Sequence, residues 1–202
     1  MINTTPATRI LLADRRKRSG QGFLTVVPPM TIHDWYLDPG ASLAGHSRVS
    51  EVTLFLPYVG DVIFDGEGGR LQVEEHQALA SCRSNKPYRI SNPYPEDAIN
   101  LLQVSLTSNL SFNPSIIDRS WPVDSPWIPM HPQIQLGRFG GRDEATILAD
   151  EWNKTVLFVV QGAFEVQHCL LENRDGLLVE GQDDIEIEAL SPDAEILVIH
   201  LE

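Results

Sequence analysis

The chain has 202 residues, 42% of them apolar and 7% aromatic, enough to bury a core in one large domain or two small ones. Its formal net charge of −13 repels phosphate backbones and argues against nucleic acid as a partner. Two cysteines without CxxC or secretory spacing, no N-terminal signal pattern and no apolar run of roughly 18 residues imply a soluble, cytoplasmic protein that avoids membranes.

In chain order, the basic tetrad Arg15-Arg16-Lys17-Arg18 reads as a solvated turn ahead of the first strand. Residues 51–65, EVTLFLPYVGDVIFD, read as two strands broken by Pro57 and Gly60. INLLQVSL, from Ile99 to Leu106, is predominantly apolar and predicts a strand buried on both faces. SNLSFNPSIIDRSWPVDSPWIPMHP follows, where Pro114, Pro122, Pro126, Pro129 and Pro132 remove backbone donors and oppose a regular sheet. Phe112, Trp121, Trp127 and Met130 in the same stretch predict a packed linker, because so many exposed apolar side chains would be costly. KTVLFVVQGAFEVQHCLL predicts two strands pivoting at Gly162. DDIEIEAL alternates acidic and apolar residues with period two, the pattern of a half-buried strand, and AEILVIHL closes the chain as another apolar strand. Asp38-Pro39-Gly40, Asp65-Gly66, Gly68-Gly69, Asn173-Arg174-Asp175-Gly176 and Ser191-Pro192-Asp193 supply turn chemistry between the runs. Only LADEWNK suggests a helix, and a single turn would satisfy it. Gly137, Gly140 and Gly141 fall among strands as turns or a bulge.

Two β modules follow: residues 1–107, a linker over 108–132, and residues 133–202, with terminal strands free to exchange between them. Each half runs from an apolar strand ending in glycine (Gly60, Gly162) through a strand with aromatic and acidic residues to a final apolar strand. Two copies of one barrel explain that shared order.

GASLAGHSRVSEVTLFLPYVGDV resembles cupin motif one: a glycine, five residues, His, one residue, His, a few residues, Glu, and a glycine after a strand. RSNKPYRISN resembles motif two, in which Pro-x-Gly precedes a His and an Asn. YRISNPYPEDAINLLQVSL and the stretch from Gly162 to Leu201 resemble the pirin-like bicupins, relatives of quercetin dioxygenases. The resemblance spans the chain from Asp38 onward and implies an all-β fold of two cupin (double-stranded β-helix, jelly-roll) barrels joined by a Pro/Trp-rich packed linker. The opening strands usual in pirins have no counterpart in GQGFLTVVPPMTIHDWYLD.

In metal-bearing cupins, imidazoles and a carboxylate converge on a divalent transition ion inside the barrel. Position by position, Gly40 and His46 stand in register here, while the second histidine falls on Arg48, which cannot ligate a metal. Glu51 stands one residue early for the motif's glutamate, a shift that reverses a side chain's face in a strand. The motif-two proline falls on Arg83, its glycine on Asn85 and its histidine on Tyr88, while its asparagine matches Asn92. His168 and His200 lie on strands without a partner at ligand spacing, and no His-x-His occurs. No metal is therefore expected. The alternative is one Fe, Ni or Cu ion in the first barrel, held by His46 and Glu51.

His46 otherwise reads as a polar residue at the barrel mouth, bonded to Glu51 or Tyr88, and Arg48 with Glu51 as an ion pair in the metal's place. His33 reads as a surface or strand residue, His76 as solvated and His131 as part of the linker. Cys82 beside Arg83 is a redox candidate, since a cation favours the thiolate, although a buried structural thiol is the plainer reading for it and for Cys169. No Gly-x-Ser-x-Gly elbow or phosphate-cradling loop is present. Three functions follow. The first is a metal-free bicupin that is not an enzyme, with His46, Arg48, Glu51, Tyr88 and Asn92 lining a site for a small anionic or phenolic molecule, or binding a protein partner. The others are a metal-dependent quercetinase-like dioxygenase and a redox-responsive regulator acting through Cys82.

Overall fold

The computed structural model describes residues 7–66, 68–82, 85–108, 115–149, 152–181 and 184–202; of Ala7 and Cys82 only the backbone is described. The chain divides into two compact units, one of Lys17–Ser120 and the other of Met1–Arg16 with Trp121–Glu202. Each is all-β, a larger sheet facing a four-stranded one across an apolar core. No helix of the described residues is long and apolar enough to cross a membrane.

In the Lys17–Ser120 unit the seven-stranded sheet runs, in spatial order, Ser115–Asp118, Gln77–Cys82, Glu51–Val59, Ile99–Thr107, Met30–Leu37, Gly22–Val27 and Lys17–Ser19. The strand Ile99–Thr107 sits in its middle and is buried on both faces as far as Leu106, as its apolar sequence predicts. Pro57 does not break Glu51–Val59, because it lies at a register shift where Pro57 and Val59 face consecutive residues Leu101 and Asn100. A bulge of this kind tolerates a residue without an N–H. GQGFLTVVPPMTIHDWYLD forms two paired strands, with the cis Pro28–Pro29 bond in the turn between them. The four-stranded sheet runs Ser42–His46, Pro87–Ser91, Val62–Gly66, Gly69–Val73. Leu37, Phe55, Phe64, Leu79, Ile90, Ile99 and Leu101 fill the space between the sheets.

In the other unit Ala7–Leu11 pairs with Gly176–Glu180, so the first strand precedes the basic tetrad and belongs to the C-terminal sheet. The stretch read as a linker is divided: Ser115–Asp118 pairs with Gln77–Cys82, while Trp127–His131 pairs with Ile134–Phe139. Both are edge strands, the place where prolines are tolerated, and Pro129 sits at a register shift. His131 is buried there. LADEWNK contributes its first residue to the strand Glu144–Leu148 and its last to Lys154–Gln161, with the turn bond from Trp152 N–H to Ala149 C=O between them. Asp184–Ala189 alternates exposed and buried positions as expected, placing Ile185, Ile187 and Ala189 in the core.

The run after Gly162 forms two strands rather than one, Phe164–Val166 and Cys169–Leu171, joined by Gln167 (φ +47°) and His168 (φ +62°). Two central residues at positive φ make a type I′ hairpin, a geometry that favours Asn-Gly. Gln167→Asn combined with His168→Gly is expected to stabilise this unit by about 1 kcal/mol, read as a higher urea midpoint at unchanged m-value.

Candidate functional site

The interior of the Lys17–Ser120 unit is apolar at one end and polar at the other. Strand register sets this gradient, because antiparallel pairing aligns like positions into rows across the seven-stranded sheet. One row runs His33, Gln103, Phe55, Leu79; the next runs Thr31, Ser105, Thr53, Ser81, a line of hydroxyls. Thr53 Oγ1 lies 3.4 Å from Ser105 Oγ and donates to Glu51 Oε1 at 3.3 Å.

Across the barrel, Tyr88 pairs directly with Gly45. A Cβ at residue 45 would penetrate the Tyr88 ring, so the aromatic ring lies flat where a side chain would otherwise project. The ring stacks on Phe64 (centroids 5.6 Å apart) and meets Phe55 edge-on at 5.4 Å. Trp35 Nε1 donates to Gln103 Oε1 at 2.9 Å, which leaves the Gln103 amide nitrogen to donate to Tyr88 Oη at 3.1 Å and to Ser105 Oγ at 3.3 Å. Burial raises the Tyr88 phenol above its ordinary value, the Gln103 hydrogen bond partly offsets this, and the nearby Glu51 carboxylate adds to the rise. Tyr88 is thus a neutral phenol at physiological pH.

Between these walls lies a cavity of about 240 Å³ lined chiefly by Phe55, Phe64, Leu71, Leu79 and Tyr88, with Thr53 and Ser81 at the hydroxyl row. Ser47, Gly66, Gly68, Gly69, Lys86 and Pro87 also line it. Lys86, Pro87, Gly68 and Gly69 are exposed and mark the mouth. The Ser47 hydroxyl donates to Lys86 C=O and accepts from Lys86 N–H, both at 3.2 Å, pinning Lys86 there.

The sequence-derived site residues separate in this frame. The strand Ser42–His46 turns Leu43 and Gly45 inward and exposes His46, whose Nδ1 lies 2.9 Å from Ser47 C=O rather than near Glu51 or Tyr88. Arg48 reaches Glu51 at 3.9 Å, but its side chain is 86% exposed against 16% for Glu51. This is a surface ion pair of about 1 kcal/mol at most. Glu51 shares the inward face of Thr53 and Phe55, so its side chain is not reversed. Asn92 is buried away from the cavity, donating to the carbonyls of Leu37, Asp38 and Asp97 and accepting from Tyr94 N–H. It clamps a loop. The Cys82 side chain and Arg83 lie outside the described residues. Cys169 is a half-buried free thiol. Trp35, Gly45, Ser47, Gln103 and Ser105 carry much of the site without belonging to a recognised motif, and only strand parity could have pointed to them.

A divalent transition metal does not fit this donor set. Gly45 offers nothing, Ser47 Oγ is committed to Lys86, Tyr88 is a protonated phenol, and Glu51 stands as a single carboxylate. Among the described residues no three His, Cys, Asp or Glu side chains come together as a ligand set.

In the C-terminal unit, Phe139, Leu157, Phe164, Leu177, Ile187, Val198 and their neighbours fill the corresponding interior. His200 is buried at its polar edge, with Nδ1 3.1 Å from Thr155 Oγ1 and Trp152 stacked over its ring. A groove of about 440 Å³ lies on the solvent face of the small sheet and gathers Glu144, Glu165, Glu186 and Glu188 with His168. Arg142 pairs with Glu188 at 2.7 Å there.

The sequence of the C-terminal unit matches the family model for the quercetinase C-terminal cupin domain over residues 124–201. No curated protein matches the chain. Among solved structures, YhhW from Escherichia coli is similar at 15% identity, covering 97% of this chain and 98% of that one with a TM-score of 0.78. The nickel(II) complex of the bacterial pirin YhhW from the same organism is similar at 17% identity, with coverage of 96% and 99% and a TM-score of 0.76. Residues 124–201 therefore carry the sequence of a quercetinase C-terminal cupin domain, and the chain has the fold of these bacterial structures. A quercetin 2,3-dioxygenase from Acinetobacter baumannii is also similar, at 11% identity, with coverage of 95% and 85% and a TM-score of 0.67. At these identities the structures establish the bicupin fold, and the chemistry of this chain rests on its own residues.

Two outcomes follow from the site's packing. Gly45→Ala is expected to cost about 1–3 kcal/mol in urea unfolding by forcing Tyr88 off its glycine, and most of that cost should vanish in a Tyr88→Ala background. Burial holds His33, His131 and His200 below the ordinary imidazole value. The unfolded chain therefore takes up protons first, and stability is lost as pH falls from about 6.5 through the lowered folded values. Thermal melts between pH 8 and 5 should show that loss, with a shallower slope in His200→Gln.

Proposed function

We propose that this bicupin binds a small anionic or phenolic molecule in its N-terminal barrel, without a metal and without turning it over. The observation that carries this reading is the 240 Å³ cavity, with aromatic walls, a hydroxyl row at one end and Lys86 at the mouth. Such a combination of apolar lining and a few placed polar groups is the usual make-up of a small-molecule site. A quercetinase-like reaction would need a ligand set for an ion, and among the described residues no three His, Cys, Asp or Glu side chains come together to supply one. The cavity is also smaller than the roughly 300–1,000 Å³ of sites for drug-sized ligands, which disfavours a three-ring flavonol.

The test is a thermal-shift screen of aromatic acids, phenols, short aliphatic acids and flavonols, run beside elemental analysis of protein purified without chelator. Ligands in the cavity should raise the melting temperature of the wild type and lose the effect in the cavity-filling variant Ser81→Leu. Hits that survive the filling, or none at all, would remove the binding reading. A stoichiometric transition metal lost in Glu51→Gln would remove the metal-free one.

A further inference from the structure

We infer that the ligand carries a carbonyl group on a single aromatic ring, and that the Tyr88 hydroxyl holds it by donating to that carbonyl oxygen. The inference rests on the binding reading above and adds the group through which the ligand is recognised; an aryl acid or a hydroxyaryl ketone would supply it.

The donor emerges from following each proton through the polar network beside the cavity. An indole N–H can only donate, so the Trp35 bond makes Gln103 Oε1 the acceptor and turns both amide N–H groups toward Tyr88 Oη and Ser105 Oγ. At the far end Thr53 Oγ1 donates to Glu51 Oε1, so the 3.4 Å contact between Thr53 and Ser105 takes the Ser105 proton. The chain therefore runs in one direction, from indole to carboxylate, and each of these protons has an acceptor except one. That proton is on Tyr88, whose oxygen receives from Gln103 while no described residue accepts from it.

Tyr88 lines the cavity, so an occupant that covers its hydroxyl displaces the water the proton would otherwise bind. A buried donor left without a partner costs about 1–3 kcal/mol. The occupant must then bring an acceptor. A carbonyl oxygen accepts without adding a proton of its own. A ligand hydroxyl adds one, and beside it only Ser81 lines the cavity with a hydroxyl that has no partner among the described residues.

Size and shape give the rest of the molecule. A dry apolar cavity of about 150 Å³ takes up benzene, so 240 Å³ holds one ring with a short substituent. One row in from the Thr53–Ser81 pair stands the Phe55–Leu79 pair, which offers the ring only carbon. Phe64 stacked on Tyr88, with Phe55 edge-on to it, leaves flat and edge faces that suit an aromatic ring better than an alkyl chain.

Titration calorimetry on the full chain with acetophenone and α-methylstyrene, in which a methylene replaces the carbonyl oxygen, tests this. Acetophenone should bind the wild type about tenfold more tightly. Tyr88→Phe removes the hydroxyl alone, and Gln103→Glu replaces the amide donor with an acceptor that takes the Tyr88 proton. Each variant should erase the tenfold difference while α-methylstyrene still binds, which shows the cavity intact. Ser81→Ala should keep the difference. Benzoate and 4-hydroxyacetophenone then separate the acid from the ketone, the tighter of the two naming the source of the oxygen. A difference that survives in Tyr88→Phe, or that vanishes in Ser81→Ala, would overturn the assignment to Tyr88. Equal binding of acetophenone and α-methylstyrene by the wild type would overturn the carbonyl and leave the cavity reading standing. If the folded wild type binds none of these probes the inference fails, and the wider screen decides separately whether the cavity binds anything.

Discussion

The N-terminal barrel depends on one contact, the Tyr88 ring lying against the bare backbone of Gly45. Gly45 occupies an inward position of the strand Ser42–His46, and a side chain there would displace the ring. With the ring in place, Phe64 stacks behind it, Phe55 closes its edge, and the Gln103 amide reaches its hydroxyl. The Trp35 indole, which can only donate, fixes which end of that amide faces Tyr88. Tyr88 is thereby part of an aromatic wall with Phe55 and Phe64.

Much of the fold was legible because period-two alternation and buried runs are local signals. Asp184–Ala189 and Ile99–Thr107 both follow directly from their residue patterns. Where non-local pairing decides, the residues gave no warning. Pro129 lies in a strand because that strand is an edge, and edge status depends on which segments pair. Gln167 and His168 make a tight hairpin although neither is a typical turn residue. The pairing of Ala7–Leu11 with Gly176–Glu180 joins residues at opposite ends of the chain, beyond any window of local pattern.

Of the residues singled out by motif spacing, Tyr88 lines the cavity while His46 and Arg48 are exposed, for a single reason. Motif spacing counts residues, but a strand's function depends on parity, and a one-residue offset exchanges the interior set for the exterior one. Leu43 and Gly45 are the inward positions of Ser42–His46, which puts His46 in solvent. Histidine identity drew attention to the wrong parity, while a glycine and a serine carry no chemical signal that would have corrected it. Asn92 matches its motif position and still does not line the cavity, since its side chain bonds to Leu37, Asp38, Tyr94 and Asp97.

The two barrels fill the same architecture differently. In the C-terminal unit apolar side chains fill the interior, and burying each one fully contributes about 1.5–3 kcal/mol. The N-terminal barrel forgoes part of that gain where Gly66, Gly68 and Gly69 line its cavity and where hydroxyls replace aliphatic side chains along one row. Space left in a close-packed interior forfeits dispersion contacts that a larger side chain would make.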